Sequence, residues 1–249
     1  YSTYKDEITY LSEGVTRNIS GKTGQIVGEP VRIFYDYKAD GVWNVGEFDT
    51  YKTNWLASHP GKTIGFSSAY GVPGTIKLVD VNDDGNITDD DRVVYNQSPK
   101  HIIGMNNSFT YKDFSLSVLV YARIGGYISY DMNSQLNYES ANWGDLNYWT
   151  PTNIGAKFPS PGAPSTTWGS YGSATLYEKA EYIKIKDITL GYNLPKNTIK
   201  HVGLTNLKVY GSLKNYFTFS KIDNYDPERG GDISFPLSKQ FVVGVNVEF

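Results

Sequence analysis

The feature that most constrains this chain is a repeated period of two. Near the end, Phe241, Val243, Val245, Val247 and Phe249 alternate with Val242, Gly244, Asn246 and Glu248. Earlier, Phe114, Leu116, Val118 and Val120 alternate with Ser115, Ser117, Leu119 and Tyr121. Leu207, Val209 and Leu213 stand against Lys208, Tyr210, Ser212 and Lys214 in the same way. Successive side chains of a strand point to opposite faces, so each segment predicts a strand with one apolar face. Strands are expected from Phe114 to about Tyr130, weakened at Gly125-Gly126, from Glu181 to Leu194, from Leu204 to Ser220, and through SKQFVVGVNVEF. A further long strand should precede Phe114 and meet it at Tyr111-Lys112-Asp113. Composition agrees, because 21 Tyr and 25 Gly against two Met favour strands over helices. Alternation alone leaves two all-β architectures open. One is a water-soluble sandwich with its apolar faces together; the other is a membrane barrel with its apolar face outward.

Connection lengths favour the barrel. Short links (Lys112-Asp113, and Pro195 to Gly203) alternate with long ones (Asp131 to Tyr177, and Lys221 to Leu237), as in outer-membrane barrels with short periplasmic turns and long extracellular loops. The expected fold is therefore all-β, built from strands of a large antiparallel transmembrane β-barrel with long extracellular loops. No apolar run reaches the roughly 18 residues of a transmembrane helix, which does not count against spanning strands. The net charge of −3 argues against a nucleic-acid binder held by phosphate contacts. Absence of Cys excludes a disulfide framework, a thiolate zinc site and a Cys nucleophile. The first residues, YSTYKDEITY, read neither as a signal peptide nor as a lipidation site, and the chain is expected to be a piece of something longer.

Catalytic signals are weak. His59, His101 and His201 stand alone, and neither HExxH, GxSxG nor a phosphate-cradling Gly loop is present. Asp223, Asp226 and Glu228 in KIDNYDPERGGD have the residue types of a glycosidase pair, but read more simply as a solvated loop turning at Pro227. No enzyme is expected.

The stretch from Asp80 to Asp91 carries the clearest chemistry. Asp80, Asn82 and Asp84 fall at the first, third and fifth positions of a calcium loop, and Gly85 takes the sharp turn at the sixth. Asn86 offers its backbone carbonyl, Thr88 occupies the ninth, often water-bridged position, and Asp91 closes the loop at the twelfth. Asp91 replaces the bidentate Glu of an EF-hand, as is common in dockerin-like loops. Hard calcium takes oxygen ligands, so a structural Ca2+ is expected; the alternative is a metal-free Asp/Asn/Gly-rich turn. No amphipathic helix is expected beside the loop: Ile26 to Tyr51 reads as short β-like pieces with tight turns, and Asn54 to Thr75 as polar loop. In the long aromatic stretch, Trp143, Tyr148, Trp149 and Trp168, with Tyr171, either stack on substrate sugar rings or pack the loop against its neighbours.

Eight segments appear in a telling order: FYDYKADGVWNVGE, GTIKLVDVNDDGNITDDDRVV, SFTYKDFSLSVLVYARIGG, YWTP, YIKIKDITLGYNLP, LKVYGSLKNYFTFS, YDPE and the strand ending in Phe249. From Phe34 onward this order resembles the C-terminal part of a SusC/RagA-type TonB-dependent outer-membrane transporter. The resemblance implies a 22-stranded barrel with an N-terminal plug, of which residues 1–249 would supply about six to eight strands. It further implies a place in the bacterial outer membrane, a SusD-like surface lipoprotein as partner, coupling to TonB through a part outside this chain, and import of oligosaccharides or peptides. It also implies that Phe249 belongs to a barrel-assembly signal. In that topology Phe241, Val243, Val245 and Val247 face the lipid bilayer, Asn246 and Glu248 face the lumen, and residues 80–91 lie in an extracellular loop. The competing expectation is a secreted, calcium-stabilised β-sandwich that binds carbohydrate.

Overall fold

The computed structural model describes residues 1–66, 70–129, 147–161, 163, 171–222, 226–230 and 237–249; Trp143, Trp168 and Asp223 lie outside them. Numbered in chain order, the strands begin with β1 (Ser2–Thr3), β2 (Arg17–Ser20), β3 (Thr23–Ile26), β4 (Ile33–Tyr37), β5 (Ala39–Val42), β6 (Ile76–Leu78) and β7 (Arg92–Asn96). They continue with β8 (His101–Tyr111), β9 (Phe114–Ile124), β10 (Tyr127–Ser129), β11 (Tyr177–Lys179), β12 (Tyr182–Asn193), β13 (Asn206–Ser220) and β14 (Gln240–Glu248). A helix, α1, spans Glu47–Ser58. The chain divides into two compact units. The first comprises Tyr1–Lys5, Ser98–Gly126 and Lys179–Phe249, and the second Asp6–Gln97 and Tyr127–Glu178.

The first unit is a six-stranded antiparallel sheet in the order β1-β8-β9-β12-β13-β14. The expected strands are present, and Lys112-Asp113 joins β8 to β9 with Lys112 at φ 52°. Strand β9 stops at Ile124 rather than near Tyr130, because Gly125 and Gly126 both take positive φ. Register shows what the alternation does. Val118 pairs with Ile188, and Ile188 with Leu213; Leu116 pairs with Leu190; Val209 pairs with Val245, and Leu213 with Phe241. One face is thus apolar from strand to strand, and it is open: Phe109, Phe114, Leu190, Phe219, Phe241, Val243 and Val245 are all at least half exposed.

A bulge at Lys186 keeps this face continuous. Before it, Ile183 and Ile185 supply the apolar side chains; after it, Ile188, Leu190 and Tyr192 do, so one extra residue shifts the parity of β12. The opposite face is polar and more tightly filled. There a Cβ added to Gly244 would lie 2.4 Å from the Tyr210 ring, and one added to Gly191 would lie 2.4 Å from Lys208 Cε.

The second unit has a conventional core. Its four-stranded sheet runs β2-β3-β4-β7, and β5 pairs with β6. Trp43, 1% exposed, meets Phe48, Tyr51 and Tyr70 edge-on at ring distances of 5.2, 5.6 and 5.6 Å, over Ile76 and Leu78. The Tyr70 hydroxyl donates to the Leu78 carbonyl (2.9 Å) and accepts the Leu78 N–H (3.0 Å), which pins this ring to β6. Helix α1 corrects the sequence expectation twice, since residues 47–51 are helical rather than β-like and residues 54–58 helical rather than loop. Its inward face is a short aromatic row, Phe48, Tyr51 and Trp55, of which Trp55 alone is fully buried, and no side chain caps it at Gly46, so the helix signals were weak.

Candidate functional site

Two places combine chemistry with geometry: the polar face of the six-stranded sheet, and the loop from Asp80 to Asp91. On the sheet, the bulge brings Lys184, Lys186 and Asp187 to one side. The Asp187 carboxylate accepts Ser212 Oγ–H at 2.8 Å and Thr189 Oγ1–H at 2.6 Å. The Lys184 ammonium is 2.5 Å from Asp226 Oδ2 and 3.1 Å from Glu228 Oε2, and Lys186 pairs with Glu228 Oε1. Asp226 and Glu228 are therefore counter-ions of wall lysines. This is neither the solvated loop of the sequence reading nor the free carboxylate pair that glycoside hydrolysis requires.

The acidic loop folds around its own backbone. Asp80 Oδ2 accepts the Gly85 N–H at 2.8 Å, and Asp80 Oδ1 and Asn82 Oδ1 both accept from the Asp84 N–H at 3.2 and 3.1 Å. Asp84 Oδ1 accepts the Asn86 N–H at 2.8 Å. Gly85 sits at φ +83°, and a Cβ there would come 2.8 Å from the Trp55 ring, so the turn requires glycine on both counts. Asp91 is fully buried and ties the loop ends together, accepting the Val81 N–H at 2.8 Å and the Thr88 N–H at 2.7 Å. Thr88 Oγ1 accepts the Asp90 N–H at 3.3 Å and caps the short 3-10 turn Asp89–Asp91.

Electrostatics follow from this crowding. Burial pushes the Asp80 carboxyl above its usual range, and the charges of Asp91 and Asp84 push the same way against its amide hydrogen bonds. The donor set suits a hard, oxygen-loving cation. Yet its carboxylates are turned onto amides, and among the described residues no group of three or more His, Asp or Glu side chains is gathered as a metal site. Sequence reasoning missed the brace beside this loop. Asp83, at φ 55°, accepts Trp55 Nε1–H at 2.7 Å and lies 2.9 Å from His59 Nε2. Trp55 and His59 stack at 4.2 Å, so α1 holds the loop.

The aromatic candidates separate. Trp149 is buried with Val42 and Ala156, and its indole N–H donates to Asn44 Oδ1 at 2.8 Å, so it packs its loop against the segment at Val42 and Asn44. Tyr171 packs edge-on against Tyr37 at 5.2 Å. Tyr148 is 44% exposed and open to a ligand, while Trp143 and Trp168 fall outside the described residues. A buried carboxylate also went unread: Asp36, 1% exposed, accepts Tyr177 Oη–H at 2.9 Å and the Tyr37 N–H at 2.8 Å, with Lys22 at 3.6 Å. Burial and the Asp36 charge push the Tyr177 phenol far up, so it stays a donor at any physiological pH.

No family model matches the chain. TonB-dependent receptor P3 of Formosa agariphila is 27% identical over 276 aligned residues, covering all of this chain and 26% of that protein. TonB-dependent receptor P26 of the same organism is 28% identical over 250, covering 92% of this chain and 24% of its own length. Among solved structures, the RagAB peptide importer in its closed-closed state matches with a TM-score of 0.65 at 21% identity, over 98% of this chain and 26% of that one. Its open-open state matches with a TM-score of 0.63 at 22% identity. The chain thus spans about a quarter of the length of the curated relatives it matches. It is similar in sequence to TonB-dependent receptors and shares the fold of a segment of the RagAB importer, so the resemblance to TonB-dependent transporters holds in sequence and the likeness to RagAB holds in fold.

Proposed function

We propose that this chain forms part of the wall and loops of a TonB-dependent transporter in the bacterial outer membrane. The observation that carries the reading is the two-sided sheet: a continuous, exposed apolar face opposite a hydrogen-bonded, charged one. Leaving such a face in water would forgo about 1.5–3 kcal/mol per large side chain relative to burial, whereas lipid accepts it at no such cost. A secreted sandwich would need a second sheet over these residues, and Phe241, Val243 and Val245 lie open instead. The whole transporter would import a peptide or an oligosaccharide with a SusD-like lipoprotein as partner, driven through TonB. The first test is fractionation: the protein should be recovered in the outer membrane and require detergent for extraction, and recovery as a soluble monomer would reject the reading.

Calcium in the loop at Asp80 to Asp91 belongs to the same proposal. Asp80, Asn82, Asp84, the Asn86 carbonyl and Asp91 would hold the ion, with Thr88 direct or through water. The turn at Gly85 and the repulsion on Asp80 support this. Binding would draw the carboxylates off their amides, so the ion would rigidify the loop rather than perform chemistry. Metal content measured at millimolar calcium checks it; a loop that stays metal-free contradicts it. Recognition of sugar or peptide by Tyr148, Trp143 and Trp168 is the part of the proposal that a loop-by-loop binding assay with both ligand classes would decide.

A further inference from the structure

Lys184 is completely buried although it stands on the polar face of the sheet, between Tyr121 on β9 and Thr218 on β13. Both of its carboxylate partners come from one turn, and Asp226 lies 42 residues away in sequence. That turn is folded tightly. Asp226 Oδ1 accepts the Glu228 N–H at 3.0 Å, Pro227 is fully buried, and Gly230 at φ +67° closes the turn. The side chains of Asp226 and Glu228 are only 14% and 20% exposed, so at least three charges have left water together. Their attraction is largely offset by the cost of stripping their water, while losing one partner strands the others at several kcal/mol. Fully paired or fully hydrated, the groups are satisfied; half-paired, they are not. Such an element has two discrete states.

We propose that residues 226–230 are a charge-locked strap, closed on the polar face by Lys184 and Lys186 and released as a unit when the lock is lost. Closed, the strap narrows whatever passes along that face. That the face lines a channel rests on the transporter reading above; the lock does not.

The chain has no cysteine, so Pro227→Cys puts a single thiol of this chain at the buried centre of the strap. In that background a soluble maleimide should label slowly. Adding Lys184→Met should speed labelling about tenfold or more, a shift of about 1.4 kcal/mol in opening per factor of ten. Lys186→Met should do less, since its side chain is 31% exposed and meets one carboxylate. The double swap Lys184→Asp with Asp226→Lys should restore slow labelling. Equal rates with and without Lys184, or no rescue by the swap, would overturn the lock. If Lys184→Met does not assemble, Asp226→Asn reads the same lock from the strap side: faster labelling supports it and an unchanged rate refutes it. A parent protein recovered soluble, yet slow to label and rescued by the swap, would keep the lock and remove the channel.

Discussion

The two units of this chain bury their aromatic and aliphatic residues in opposite ways. In the second unit Trp43, Tyr70, Ile76 and Leu78 vanish into a core of interlocking rings. In the first, many side chains of the same kinds (Phe241, Val243, Phe219, Leu190) stand outward, while Lys184 and Ser212 are buried beside a few apolar residues such as Tyr182 and Ile199. On the transporter proposal, the two parts meet different solvents. The second unit is organised for water, with a core that excludes it. The first would, on that proposal, be organised for a medium that accepts apolar surface and demands that every backbone group be paired, which a barrel wall achieves through its ladders.

The largest expected effect breaks the water-type core. Trp43→Ala should cost about 3–5 kcal/mol by emptying a buried ring site. It should open the second unit to protease while the sheet of the first unit stays protected, because the two do not share Trp43; loss of both together would dissolve the comparison. Next comes the pair that defines the wall. Val245→Arg should cost about 2–4 kcal/mol in folding into lipid if it lies near the midplane, and Asn246→Arg should be tolerated. Equal costs at these neighbours, measured by urea titration in vesicles, would mean that the two faces see the same solvent.

Calcium should act on the second unit alone. At a free concentration one hundred times its dissociation constant, a bound ion would stabilise that unit by about 2.7 kcal/mol. Asp80→Ala with Asp84→Ala should abolish this calcium-dependent protection and leave the sheet unaffected, as read by proteolysis with and without chelator. A smaller effect sharpens the picture of the core: Tyr70→Phe removes the hydroxyl that serves both polar groups of Leu78 and should cost about 1–3 kcal/mol, with faster amide exchange in β6.

The six-stranded sheet was legible in the sequence because an apolar face opposite a polar one forces a visible period of two. The turn at Lys112-Asp113 and strands β12, β13 and β14 followed from it. Even the bulge had left a trace: the apolar parity changes between Ile185 and Ile188, a signal the run YIKIKDITLGYN displays once it is sought. The second unit was harder because its order comes from distant partners. Helix α1 turns only Trp55 fully inward, and Trp55 matters through Asp83, 28 residues on. The spacing of Asp80 to Asp91 correctly announced a tight loop with glycine at Gly85. It did not announce that Asp91 would be spent on the Val81 and Thr88 amides. Asp226 and Glu228 read as solvated for the same reason, since nothing nearby in sequence names Lys184 as their partner.

The central claim is that one face of the six-stranded sheet meets lipid and the other does not. The absence of native cysteine allows single thiols to be placed in turn at residues 241–247 of β14 and labelled with an environment-sensitive dye in the outer membrane. The account predicts quenching by a lipid-borne quencher at Phe241, Val243, Val245 and Val247, and by a water-borne one at Val242, Gly244 and Asn246. Water-borne quenching at every position, with no period of two, would contradict it.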